Sequence, residues 1–105
     1  MVRPLSSWNK TQAPSHPNLV WRAKVDNRFL IEIHRVSLNS PTIGKLYLFD
    51  HEKNDKEILC WDITIPDDAK YGSAIWDTKK WNREIQTWEM GIIDFIENTY
   101  LGDER

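Results

Sequence analysis

Glu32 and His34 are the two neighbouring side chains of this chain best suited by type to do chemistry. If residues 29–36 form a strand, positions two apart project from the same face, so carboxylate and imidazole stand side by side. Such a pair can exchange a proton, and with Cys60 and Asp62 on the same side it contains metal-ligand types. The spacing argues against a metal. The strand carrying Cys60 is separated from that carrying His34 by a third, and the chain has no recurring CxxC or HxxxH. A half-exposed His beside Glu is the ordinary expectation.

Other reactive types are no better placed. Asp50-His51-Glu52, followed by Asp55 and Glu57, reads as the acidic tip of a hairpin. General acid–base work needs carboxylates held in a cleft, which a solvated turn does not supply. Ser73 lacks the Gly-x-Ser-x-Gly context of a nucleophile elbow. Cys60 beside Trp61 has no cationic neighbour to activate it, and Gly44 reads as a solitary turn glycine. Tyr71 and Trp76, in the connection at 66–76, could line a small ligand cleft, since long loops on compact domains often carry function. No catalytic motif, cofactor fingerprint or metal spacing emerges, so the expectation is a non-enzymatic protein with no cofactor.

The elements that position these residues follow from the apolar pattern. Alternating stretches at 19–25, 29–36, 43–50 and 57–65 read as four strands, and Pro66 stops the last because it cannot donate to a ladder. Pairing Val25 with Phe29, Ala23 with Ile31 and Trp21 with Ile33 keeps one apolar face across the first hairpin. That register needs a three-residue loop in which Asn27 or Arg28 is left-handed, Asn27 being the better candidate. Asn39-Ser40-Pro41-Thr42 marks the next turn. An even-length loop at 51–56 puts Leu46 and Leu48 on the same side as Leu59, Trp61, Ile63 and Ile65.

Trp81, Ile85, Trp88, Ile92, Phe95 and Ile96 recur at three and four, the stripe of an amphipathic helix. Asp77 suits its N-cap, with Trp76 and Trp81 at staple positions, and Gly102 suits a left-handed C-terminal cap. Lys79 and Lys80 at the start, with Asp94 and Glu97 toward the end, oppose the helix dipole, so packing must carry the helix. The predicted fold is α+β: a four-stranded antiparallel meander followed by one long C-terminal helix on one face (ββββα). Residues 1–18, with Pro4, Pro14 and Pro17, read as an irregular arm before a single domain at 19–105. No internal repeat or low-complexity segment interrupts it.

Composition bounds the partners. The 105 residues carry 14 basic and 16 acidic side chains, a net charge of −2, which is no electrostatic invitation to duplex nucleic acid. With 40% hydrophobic and 29% charged residues, the composition is that of a folded globular domain. The single cysteine cannot form an internal disulfide. No apolar run approaches the roughly 18 residues of a membrane span, and residues 1–8 lack the apolar stretch of a secretory signal, so the expected location is cytoplasmic with no membrane contact.

Six tryptophans, at 8, 21, 61, 76, 81 and 88, are many for one small core. Trp is enriched where proteins meet. Trp61, Trp81 and Trp88 belong to the predicted sheet–helix core. Trp8, alone in a polar leader, either docks on its own domain or reaches a second copy or another protein.

The sheet face away from the helix carries apolar Leu30, Val36, Tyr47, Phe49 and Ile58, basic Arg22, Lys24 and Lys45, and acidic Glu32 and Asp62. Three uses of such a face are open. The arm folds over it and Trp8 plugs it. It is a protein–protein interface, most simply a homodimer or an inhibitor-, immunity- or adaptor-type contact, through Trp8, Arg22, Lys24, Leu30, Lys45, Tyr47 and Phe49. Or single-stranded bases stack on Tyr47 and Phe49, with Arg22, Lys24 and Lys45 on phosphates, which the nearby carboxylates and net charge disfavour.

Overall fold

A computed structural model describes residues 2–11, 18–67 and 79–103. The alternating segments form one antiparallel sheet: β1 (Asn9–Thr11), β2 (Leu19–Val25), β3 (Phe29–Ser37), β4 (Ser40–Asp50) and β5 (Lys56–Thr64), in spatial order β1-β2-β3-β4-β5. Helix α1 (Lys79–Asp94) follows, widens into a π-helical turn over Phe95–Tyr100, and ends in a last turn at Leu101–Asp103. The α+β meander with a C-terminal helix on one face is as expected. The sheet, however, has five strands, because part of the arm pairs with β2, Lys10 opposite Ala23.

The first hairpin adopts the expected register, with Val25 opposite Phe29, Ala23 opposite Ile31 and Trp21 opposite Ile33. Its turn is left-handed at Asp26 (φ 53°) and Asn27 (φ 58°), both of which tolerate that region, while Arg28 is not. The second turn is earlier than its sequence signal. Ser37 pairs with Ser40, so Leu38 and Asn39 form the turn and Ser40-Pro41-Thr42 already lies in β4. In the third hairpin Leu46 opposes Trp61 and Leu48 opposes Leu59, as expected. A register shift beside Phe49 brings Ile58, expected on the open face, against the core cluster instead.

The core lies between the sheet and α1. Trp21, Ile31, Ile33, Leu46, Leu48 and Ile65 from the sheet meet Trp81, Ile85, Ile92 and Ile96 from the helix. Trp81 stands edge-on to Trp21 at 6.3 Å and to Trp88 at 5.8 Å between ring centres. Gly91 sits mid-helix because the Trp61 ring occupies the space beside it: a Cβ there would lie 2.8 Å from Trp61 Cη2. Lys80 at the unfavourable end of the helix dipole donates to Asp67 at 2.7 Å, which offsets part of the repulsion. Gly102 does not cap the helix in a left-handed conformation; helical backbone runs through it to Asp103. The expected cap at Asp77 and the Trp76 staple lie outside the described residues.

Gly44 is no turn glycine. It lies within β4 opposite Arg35 and Ile63, where a Cβ would meet Ile65 Cδ1 at 2.8 Å and the His34 carbonyl oxygen at 2.9 Å. Backbone cannot yield as a side-chain tip can. Gly44→Ala is therefore expected to cost about 1–3 kcal/mol, read by denaturant unfolding; an unchanged midpoint would contradict this packing.

Candidate functional site: the open sheet face

The described part of the arm, residues 2–11, goes to the helix side and the edge of β2 rather than over the open face. Leu5–Ser7 makes a short 3-10 turn, Leu5 and Trp8 enter the core, and the Val2 amide donates to Glu97 Oε1 at 2.6 Å. Trp8 is only 3% exposed and its ring N–H donates to the Arg3 carbonyl at 3.0 Å. The expectation of Trp8 as a partner contact, or as a plug for the open face, is thereby corrected. A large apolar ring gains more from the cleft beside its own helix than from solvent.

Arg22, Lys24, Leu30, Lys45, Tyr47 and Phe49 do stand together on the other side. Cross-strand pairing places them in ordered rows: Lys24–Leu30–Phe49–Glu57, then Arg22–Glu32–Tyr47–Cys60. The Tyr47 and Phe49 rings stack at 6.0 Å with 19° between planes, and His34 meets Tyr47 edge-on at 5.4 Å. Beside them is a shallow concavity of about 480 Å³ that includes Glu32, His34, Arg35, Lys45 and Tyr47 in its lining.

The charges on this face are largely spent on one another. Arg22 holds Glu32 at 2.7 Å, and His34 Nε2 lies 3.0 Å from the other Glu32 oxygen. Lys45 reaches Asp62 at 2.7 Å; that hydrogen bond, with the carboxylate's charge, holds its ammonium above the usual lysine range. Glu32 and His34 thus do come together, as expected, but the carboxylate is shared with Arg22. The trio can bind a hydrogen-bonding group or exchange a proton with solvent. Among the described residues no group of three or more His, Cys, Asp and Glu converges on one point. Cys60 is exposed on β5 and pairs with Tyr47, with β4 between it and His34.

Three apolar side chains that sequence reasoning passed over, or left in the background, extend the face. Val36, Leu38 and Ile43 are 53%, 52% and 54% exposed at the β3–β4 hairpin end. Val36 follows Arg35 and Ile43 precedes its partner Gly44, so both lie where the register shifts, on adjacent strands. The available signal was Leu38: a leucine in a two-residue turn has no core to enter. A second, apolar-floored groove of about 560 Å³ lies between the arm and α1, lined by Val2, Pro4, Met90 and Ile93 with Glu89, Asp94 and Glu97 at its rim. Met90 there is 80% exposed.

The acidic hairpin tip is not wholly solvated. Asp50 is fully buried and accepts four hydrogen bonds: Arg28 Nε at 3.2 Å, Arg28 Nη2 at 3.1 Å, the Glu52 amide at 3.0 Å and Tyr100 OH at 2.5 Å. Burial pushes its carboxyl up, but the bonds from Arg28, Tyr100 and Glu52 and the guanidinium charge outweigh burial and hold it below the usual range. With every lone-pair position filled, this carboxylate is a structural clasp between the first turn, the β4 end and the helix.

Tyr71 and Trp76 lie outside the described residues. No helix among the described residues is long and apolar enough to cross a membrane. No family model, curated protein or solved structure matches this chain.

Proposed function

We propose that this chain is a binding protein whose working surface is the open sheet face, and that its partner is another protein. One observation carries the proposal. Val36, Leu38 and Ile43, each more than half exposed, lie at the hairpin end of the sheet, and the stacked pair Tyr47–Phe49 follows on the open face beyond the His34–Lys45 row. Apolar side chains gathered at one place with a polar rim mark contact surfaces, whereas singly scattered ones do not. The polar groups among them are the pairs Arg22–Glu32 and Lys45–Asp62, which run from the central strands outward and can trade partners on docking. Single-stranded nucleic acid fits less well, since two of the three cations it would need, Arg22 and Lys45, already hold carboxylates.

The test is photo-crosslinking in extract of the source cells, with p-benzoylphenylalanine replacing Tyr47 in one sample and Met90 in another. A protein adduct from Tyr47 alone, lost when Val36→Lys and Ile43→Lys are added, is the expected result. Equal adducts from both positions, none from Tyr47, or an adduct to nucleic acid would each overturn the proposal.

A further inference from the structure

We infer that the partner of this face is a second copy of the chain, related by a two-fold axis running parallel to the strands between β3 and β4. This rests on the open face being a protein-binding surface.

The order of chemistry across the sheet carries it. The row Lys24–Leu30–Phe49–Glu57 begins with a cation on β2, crosses two apolar side chains and ends with an anion on β5. Rotation about an axis along the strands reverses each row and lays it on itself. Lys24 then faces Glu57 of the partner subunit, and Leu30 faces Phe49 of the partner subunit. In the next row Glu32 faces Tyr47 of the partner subunit, a carboxylate opposite a phenol that can donate to it. At the hairpin end the exposed Val36 of β3 and Ile43 of β4 lie on the two strands that the axis exchanges, so apolar side chains meet there as well. An axis across the strands would instead set Lys24 on Lys24 and Glu57 on Glu57, like charge on like.

The side chains of Lys24 and Glu57 make no hydrogen bond or ion pair with other described residues, although those of Arg22, Glu32, Lys45 and Asp62 all do. They are the two charges of these rows left over for an external partner, and they stand at opposite ends of one row. An isologous contact requires a self-complementary patch, which a row running cation, apolar, apolar, anion provides. Two twisted sheets pack face to face at about 10 Å with strands within about 30° of parallel, so facing rows stay in reach.

The experiment is native mass spectrometry with light scattering on the purified chain, at roughly micromolar concentrations where typical self-association is resolved. The expected species has twice the 12.5 kDa chain mass. Lys24→Glu and Glu57→Lys are each expected to weaken it about tenfold or more, with unchanged thermal unfolding of the monomer. Mixing the two single variants restores dimers containing one of each, because the mixed pair has two attractive contacts. A monomeric wild-type chain, single variants that dimerise normally, or a mixture that stays monomeric would overturn the inference. A monomer whose Tyr47 crosslinker captures a different protein overturns the second copy alone; a monomer with no adduct sinks the face as well.

Discussion

Trp8→Ala is expected to destabilise the fold by about 3–5 kcal/mol, a large share of what a domain this size possesses. The ring is 3% exposed among core side chains, and its N–H bond to the Arg3 carbonyl shapes the arm around it. Without the ring, the arm detaches rather than leaving a hole in a rigid core. The denaturant slope is then expected to fall with the midpoint, since less surface is buried in the folded state. Association through the open face is expected to be unaffected, because Trp8 is on the other side of the sheet. A variant of wild-type stability that no longer associates would reverse the assignment and make Trp8 a contact residue.

Asp50→Asn is expected to cost about 2–4 kcal/mol at neutral pH, because it removes the charge that Arg28 and Tyr100 converge upon. Arg28 is only partly covered and can rehydrate, which keeps the effect below that of a fully buried pair. The sign of the pH dependence follows from the lowered carboxyl. Its folded-state value lies below the unfolded value near 4, so its contribution is complete above about pH 5 and begins to fall as the unfolded carboxyl takes up its proton. The contribution fades as pH falls through the folded-state value. Unfolding curves of wild type and Asp50→Asn are therefore expected to converge on acidification from pH 5 downward. A constant gap over that interval would show that the carboxylate's charge is not what stabilises the clasp.

The periodic parts of the fold were legible. Alternation fixed the first hairpin's register to the residue because a slip by one would have turned Trp21, Ala23 and Val25 to solvent. The three-and-four stripe located α1 for the same reason. What escaped depends on contacts distant in sequence. Asn9–Thr11 has no apolar alternation and becomes a strand because β2 offers an edge. Asp50 looks like any turn carboxylate until Arg28 and Tyr100, 22 and 50 residues away, close over it. The tryptophan count misled in part. Trp8, Trp21 and Trp81 are buried and Trp61 and Trp88 half-buried, so none of these five makes an exposed anchor. The open face itself was legible residue by residue, since β alternation assigns sides. Its most exposed members were less so, because the turn at Leu38–Asn39 precedes the Asn-Ser-Pro signal.

The bond from the Val2 amide to Glu97 spans 95 positions of sequence, so the arm and the helix end close the chain into a near-ring. Closing so wide a loop gives up more chain freedom than forming any of the hairpins, whose partners are close neighbours in sequence. The hairpins and α1 are therefore expected to assemble first, with the arm docking late. By the same token the arm is the segment that leaves most readily in brief openings of the native state. Such an opening bares the cleft where Leu5 and Trp8 sit and frees the outer edge of β2. In amide hydrogen exchange, residues 2–11 should lose protection well before β3 and β4, and the β2 amides that bond to β1 should exchange with them.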